Sequence, residues 1–173
     1  MTPDLKSLLS RRIHWDDSLP GEPVKEPNPY REWGDLPLFV SIFDHSLSEE
    51  ECAAEAFMFY ADAVKRGHVA AYLEGERRFE AFYAELAREG AYVADGWRRG
   101  RRFLPASSGR LKRIVRDSLR ERPGFRHMDM VFAAASVRVI GGHDRTDVLL
   151  PETIVARDEV LAAVRRHGLH VLP

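Results

Sequence analysis

The chain has 173 residues, of which 45% are hydrophobic and 31% charged, with a formal net charge of −1. That composition excludes collagen-like and chain-wide disordered classes, and the length is enough to bury a core without disulfides or metals. One cysteine, Cys52, leaves no intramolecular disulfide to form; no apolar run approaches the roughly 20 residues of a membrane span, and residues 1–17 lack the apolar stretch of a signal peptide, so a soluble cytoplasmic chain is expected.

Residues 1–35 read as an extended lead-in. The stretch "SLPGEPVKEPNPYREWGDLP" is rich in Pro and Gly and has neither a helical nor an alternating period. Trp15, Tyr30 and Trp33 are the side chains expected to pin it to the body, which is read as one domain over 36–173. "LKSLLSRRI" permits a short helix over 4–12. Residues 38–43, "LFVSIF", form a compact apolar run suited to a buried strand.

Ser46 with Glu49, or Ser48 with Glu51, matches a capping box, and the acids that follow suit a helix N-terminus. The spacing predicts a helix from there to about Lys65, stopped by Gly67. A second helix carries Phe79, Phe82, Tyr83 and Leu86 at helical spacing; Val69, Tyr72 and Leu73 keep its phase, and Gly90 ends it. "AYVADGW" reads as a strand and turn. A third helix is predicted from Ser108 to Glu121, before Pro123-Gly124.

"MVFAAASVRVI" reads as one long central strand, because both of its alternating faces are apolar. Its alanines leave room for the close approach of a helix or a ligand. "GGHDRT" is a turn, "DVLL" the returning antiparallel strand, 157–167 a last helix, and "LHVL" a final edge strand. The expected class is α+β: a small mixed or antiparallel sheet with about four helices packed on it.

The sharpest feature is the charge distribution. Residues 98–126 hold eleven Lys and Arg against Asp117 and Glu121, a net +9, and the rest of the chain carries −10. On the third helix Leu111, Ile114, Val115 and Leu119 make the apolar stripe. Arg113, Arg116 and Arg120 recur on another face, where planar guanidinium forks suit phosphate or carboxylate. Ser107, Ser108 and Gly109 open that helix, whose free N–H groups favour an anion, and Arg101, Arg102 and Arg110 lie close to it in sequence. The competing reading is a solvated surface, or one paired with acids of residues 44–56 and 74–89.

Other chemistry is less sharply marked. Asp44-His45 ends the first strand, a position suited to proton transfer, while the plainer reading makes them cap and loop residues. His127-x-Asp129 and the turn residues His143 and Asp144, with His14, Asp16 and Asp17, are candidate metal ligands without a recognised metal spacing. No Walker loop, GxGxxG, GxSxG or zinc-finger spacing calls for a cofactor. The expectation is therefore a binding module whose segment 98–126 engages an acidic protein or a phosphate-bearing ligand. Nucleic acid is a thinner case, because only Trp97, Phe103 and Phe125 interleave with the charge. The alternative is a small enzyme on a phosphorylated or nucleotide substrate, with Arg101, Arg102 and Arg110 as clamp and Asp44, His45 or His127 moving protons.

Overall fold

The structure is a computed structural model that describes residues 8, 11, 29–55, 58–93, 102–121, 128–142 and 144–173. Its strands are β1 (Leu38–Ser41), β2 (Ala91–Val93), β3 (Arg102–Leu104), β4 (Asp129–Phe132), β5 (Val137–Ile140), β6 (Thr146–Pro151) and β7 (His170–Leu172). They form one seven-stranded sheet in the order β3-β2-β4-β5-β6-β1-β7, and every neighbouring pair is antiparallel. The helices are α1 (Glu49–Ala54), α2 (Tyr60–Arg66), α3 (Val69–Leu86), α4 (Gly109–Leu119) and α5 (Ile154–Arg166). The α+β class holds with an antiparallel sheet, and the sheet is larger than expected. Among the described residues no helix is long and apolar enough to cross a membrane.

Strand alternation sorts side chains to two faces. Leu38 and Val40 of β1, Met130 and Phe132 of β4, Val137 and Val139 of β5, and Leu149 of β6 point to the helical side. There they pack with Phe79, Phe82 and Tyr83 of α3, Leu111 and Val115 of α4, and Val160 and Val164 of α5. The aromatic stripe anticipated on α3 is buried as expected, and Tyr83 stacks between Phe79 and Phe132. The opposite face is covered by the lead-in: Tyr30 and Trp33 lie over Ile140, Val148 and Leu150, and Leu8 over Val131. Arg138 of β5 grips Asp129 of β4 with two bonds of 2.8 Å and donates to the Arg11 carbonyl at 2.9 Å. Arg11 lies over the Trp33 ring and pairs with Glu152. The proposed helix over 4–12 and the pin at Trp15 fall outside the described residues, apart from Leu8 and Arg11.

Two elements differ from the sequence reading. The single helix over 46–65 is two. Ser48 forms the capping box with Glu51, but α1 ends at Glu55 in extended backbone, and α2 starts after Phe59, also extended. The long strand over "MVFAAASVRVI" is a hairpin: β4 pairs with β5 across a 3-10 turn at Ala133–Ala135, closed by Ser136 at φ +48°. Each arm is central in the sheet, so the run is apolar on both faces and still folds back on itself. The remaining readings hold closely: α3 begins at Val69, α4 lies within 108–121, α5 starts three residues early, and "LHVL" supplies edge strand β7 beside β1.

The β5–β6 turn is tightly built. Gly142 donates its N–H to Asp147 at 2.9 Å, and a Cβ on Gly142 would lie 2.0 Å from the Thr146 carbonyl oxygen. That oxygen is backbone and cannot step aside. Gly142→Ala is expected to destabilise the fold by about 2–4 kcal/mol, seen as a lower urea midpoint at unchanged m-value.

Candidate functional site

The basic helix α4 docks on α3 through a seam that is apolar below and ionic above. Leu111, Val115 and Leu119 face the core, as their spacing predicted. Above them, Arg120 forks onto Glu76 with bonds of 2.5 and 2.7 Å and lies 4.2 Å from the centroid of the Tyr60 ring. Arg116 reaches Glu80 at 2.6 and 2.9 Å. Glu76 is 4% exposed, so its charge is tolerable only because it is paired; removing the partner of such a buried ion typically costs about 3–5 kcal/mol. Arg120 is itself mostly covered, and the pairing holds its guanidinium pKa above the ordinary value. The Tyr72 hydroxyl donates to the Leu119 carbonyl at 2.7 Å, satisfying one carbonyl at the C-terminus of α4.

The expected outward row of Arg113, Arg116 and Arg120 is therefore split. Arg120 is turned inward to a carboxylate that sequence reasoning did not single out, and Arg116 is shared between surface and seam. Arg110, Lys112 and Arg113 are exposed, and among the described residues no ion pair engages them. Ser108 occupies the N-cap position of α4 without a side-chain capping bond, and Ser107 is exposed beside it. Arg101 lies outside the described residues, and Arg102 belongs to β3.

Next to Lys112 the two helices part. A groove of about 380 Å³ opens between them, lined by Arg77, Ala81, Ala84, Ala106, Leu111 and Lys112 among others. Its floor is apolar, and its rim carries cations from both helices, with Glu80 already held by Arg116.

The other sequence candidates lie elsewhere. Asp44 and His45 are exposed after β1, where His45 Nδ1 bonds Asp44 at 2.7 Å and Nε2 bonds Glu51 at 3.2 Å. Both carboxylates favour the imidazolium, Asp44 most strongly, so the His45 pKa is raised. His45 lines a cleft of about 180 Å³ with Ser41, Cys52 and Asp144, and none of the described arginines lines that cleft. His45 and Lys112 thus line separate clefts. Asp129 is held by Arg138; Asp144 sits in the β5–β6 turn at φ +54°, its N–H donating to Glu121 at 3.2 Å. His127 and His143 lie outside the described residues. Among the described residues no three His, Cys, Asp or Glu side chains are grouped to hold a metal ion.

Sequence reasoning also missed a buried polar pair beneath α3. Asp147 points from β6 into the helical face, where it is 2% exposed and accepts a short hydrogen bond from the Tyr83 hydroxyl. Burial pushes its carboxyl up to about 6, against the lowering pull of the bonds from Tyr83 and Gly142. Burial, then the charge of Asp147, drives the Tyr83 pKa well above its ordinary value. Neighbouring Arg145, also buried, stacks over Tyr72 at 4.2 Å and donates to the Tyr72 carbonyl at 3.0 Å. Gly75 makes room for it: a Cβ there would meet the guanidinium at 2.4 Å. These groups are enclosed and hold α3 to the sheet. The only signal for them in the sequence is "GGHDRTD", read as turn chemistry alone.

Comparison with protein-family models, with curated proteins and with solved structures finds no match.

The Asp147 proton has a measurable consequence. Its folded pKa of about 6 exceeds the ordinary 3.8, so the folded chain holds this proton more tightly than the unfolded one. The contribution to stability is full below pH 3.8 and is lost as pH rises through about 6, a change of about 3 kcal/mol. Acids with lowered pKa, such as Glu74 and Glu85, give the opposite slope, so the difference between two proteins is the reading. Asp147→Asn is expected to gain stability relative to the parent chain as pH rises from 4 to 7, in urea titrations at each pH.

Proposed function

We propose that the chain is a non-catalytic binding module that engages an anionic partner through the N-terminal half of α4 and the groove beside it. One observation carries the reading: Arg110, Lys112 and Arg113 stand exposed without an ion pair among the described residues, while Arg116 and Arg120 on the same helix are held by Glu80 and Glu76. Of the expected binding arginines whose side chains are described, Arg110 and Arg113 carry this reading, joined by Lys112. Charges so placed attract polyanions over about a Debye length, some 8 Å at physiological salt, and speed encounter more than they add affinity. An enzyme on an anionic substrate draws less support, because His45 lines a cleft whose lining, among the described residues, holds no Arg or Lys.

Retention on a heparin column tests the charge reading. Arg110→Glu with Arg113→Glu is expected to elute at clearly lower salt with unchanged Tm. The same charge change made at exposed Arg88 and Arg165 is expected to leave most of the retention. Equal losses from the two pairs would reduce the effect to net charge and remove the site.

A further inference from the structure

The ion pairs between α3 and α4 follow a fixed register. The helices run antiparallel, and each step of four residues along α3 matches a step of four back along α4: Glu76 with Arg120, then Glu80 with Arg116, whose Nε also lies 3.5 Å from Glu76. The next step in that register sets Ala84 opposite Lys112, and both line the groove. At this rung α4 still supplies a cation, and α3 supplies a methyl group where the previous two rungs supplied a carboxylate. The seam opens into the groove at the place where the acid is missing.

We infer that the groove receives an acidic, partly apolar peptide segment of a partner protein. One of its carboxylates takes the position opposite Lys112, and an apolar side chain lies over Ala81, Ala84 and Leu111. The inference rests on the anion-binding reading above and adds to it the chemical class of the partner and the mode of docking. Charge complementarity selects the occupant: among the described residues the cations outside any ion pair are Lys112 at the groove edge and Arg110 and Arg113 over the crest of α4, so the ligand's negative charges must spread across three residues of the helix, about 4.5 Å of rise, and around its side. A string of Asp and Glu does this; a single small anion inside the groove does not. The apolar floor offers a seat for an anchor residue of the kind that dominates peptide interfaces. Nucleic acid fits less well, because the one ring in the lining, Tyr83, is fully buried and no base can stack on it. The volume, about 380 Å³, lies near the low end of the range of roughly 300–1,000 Å³ for small-molecule sites, and it suits one or two side chains.

The test is fluorescence anisotropy on the full chain with three labelled probes. These are a short peptide alternating Glu and Leu, the same peptide with every Leu replaced by Ser, and a single-stranded oligonucleotide. The Glu-Leu peptide is expected to bind tightest, and the Ser version about tenfold more weakly. Ala84→Glu supplies the missing rung from within; it is expected to weaken the Glu-Leu peptide by at least about tenfold while Tm holds or rises. Ala84→Gln, similar in bulk and uncharged, is expected to stay within about threefold of the parent. Lys112→Ala is expected to weaken the peptide as well, which keeps the test decisive should the Ala84 variants fold poorly. If Ala84→Glu and Lys112→Ala leave affinity unchanged while Arg110→Glu with Arg113→Glu abolishes it, the groove is overturned and the charge reading survives. Equal binding of the two peptides, or tighter binding of the oligonucleotide, also overturns the peptide assignment. Binding of no probe overturns both readings.

Discussion

Glu76 is the charge that fixes how the helical layer is assembled. A carboxylate this deeply buried is tolerated only with a partner that satisfies both oxygens, and Arg120 supplies two bonds in a planar fork. Tyr60 closes the other side of that guanidinium, so α2, α3 and α4 meet at one ion pair. Once Arg120 must sit on Glu76, the antiparallel register of α4 against α3 is set in steps of four. Arg116 then falls beside Glu80, and Lys112 and Ala84 both line the groove. The surface that a partner would meet is thus a consequence of a pair no partner can reach.

A second set of bonds holds α3 from below. Tyr83 lies two turns along the helix from Glu76 and donates to Asp147 of β6; Tyr72 carries Arg145 against Gly75. The helix has a polar stripe threaded through its aromatic one. Apolar packing alone tolerates small slides between a helix and a sheet, whereas directional bonds at both faces do not. Each bond also satisfies a group whose burial would otherwise be unfavourable. The groove beside α4 therefore has a wall, α3, that is fixed to the sheet and to α4 at once, which suits a preformed site better than an induced one.

Periodicity made the apolar half of this arrangement legible and left the polar half hidden. Phe79, Phe82, Tyr83 and Leu86 were readable as core because apolar residues at that spacing have one place to go. Leu111, Val115 and Leu119 were readable for the same reason. Nothing in "LEGERRF" distinguishes Glu76 from Glu74, although one is buried and the other exposed in a local pair with Arg77. That difference is made by Arg120, 44 residues away. The hairpin at 129–140 was missed for a local reason: its turn uses Ala133–Ala135 and a left-handed Ser136, without the Gly, Asn or Pro that marks most turns. Of the candidate site, the positive charge of α4 was visible, and the division of its arginines into spent and unspent was not, because it depends on which acids α3 presents at each rung.

That division also explains how, in a chain of net charge −1, Arg110, Lys112 and Arg113 stay exposed outside any ion pair among the described residues. Charges cancel by reach, not by composition. Along α3, Glu74 is taken by Arg77 and Arg78, Glu85 by Arg166 and His167, and only Glu76 and Glu80 turn to α4. The acids at 49–51 belong to the first turn of α1, where Glu51 serves the cap and His45. Of the acids in residues 44–56 and 74–89, Glu76 and Glu80 alone neutralise the C-terminal half of α4, and among the described residues Arg110, Lys112 and Arg113 stand outside every ion pair. Two carboxylates at the right spacing cancel two guanidiniums, and of the five cations at 110–120 three stand outside any ion pair among the described residues.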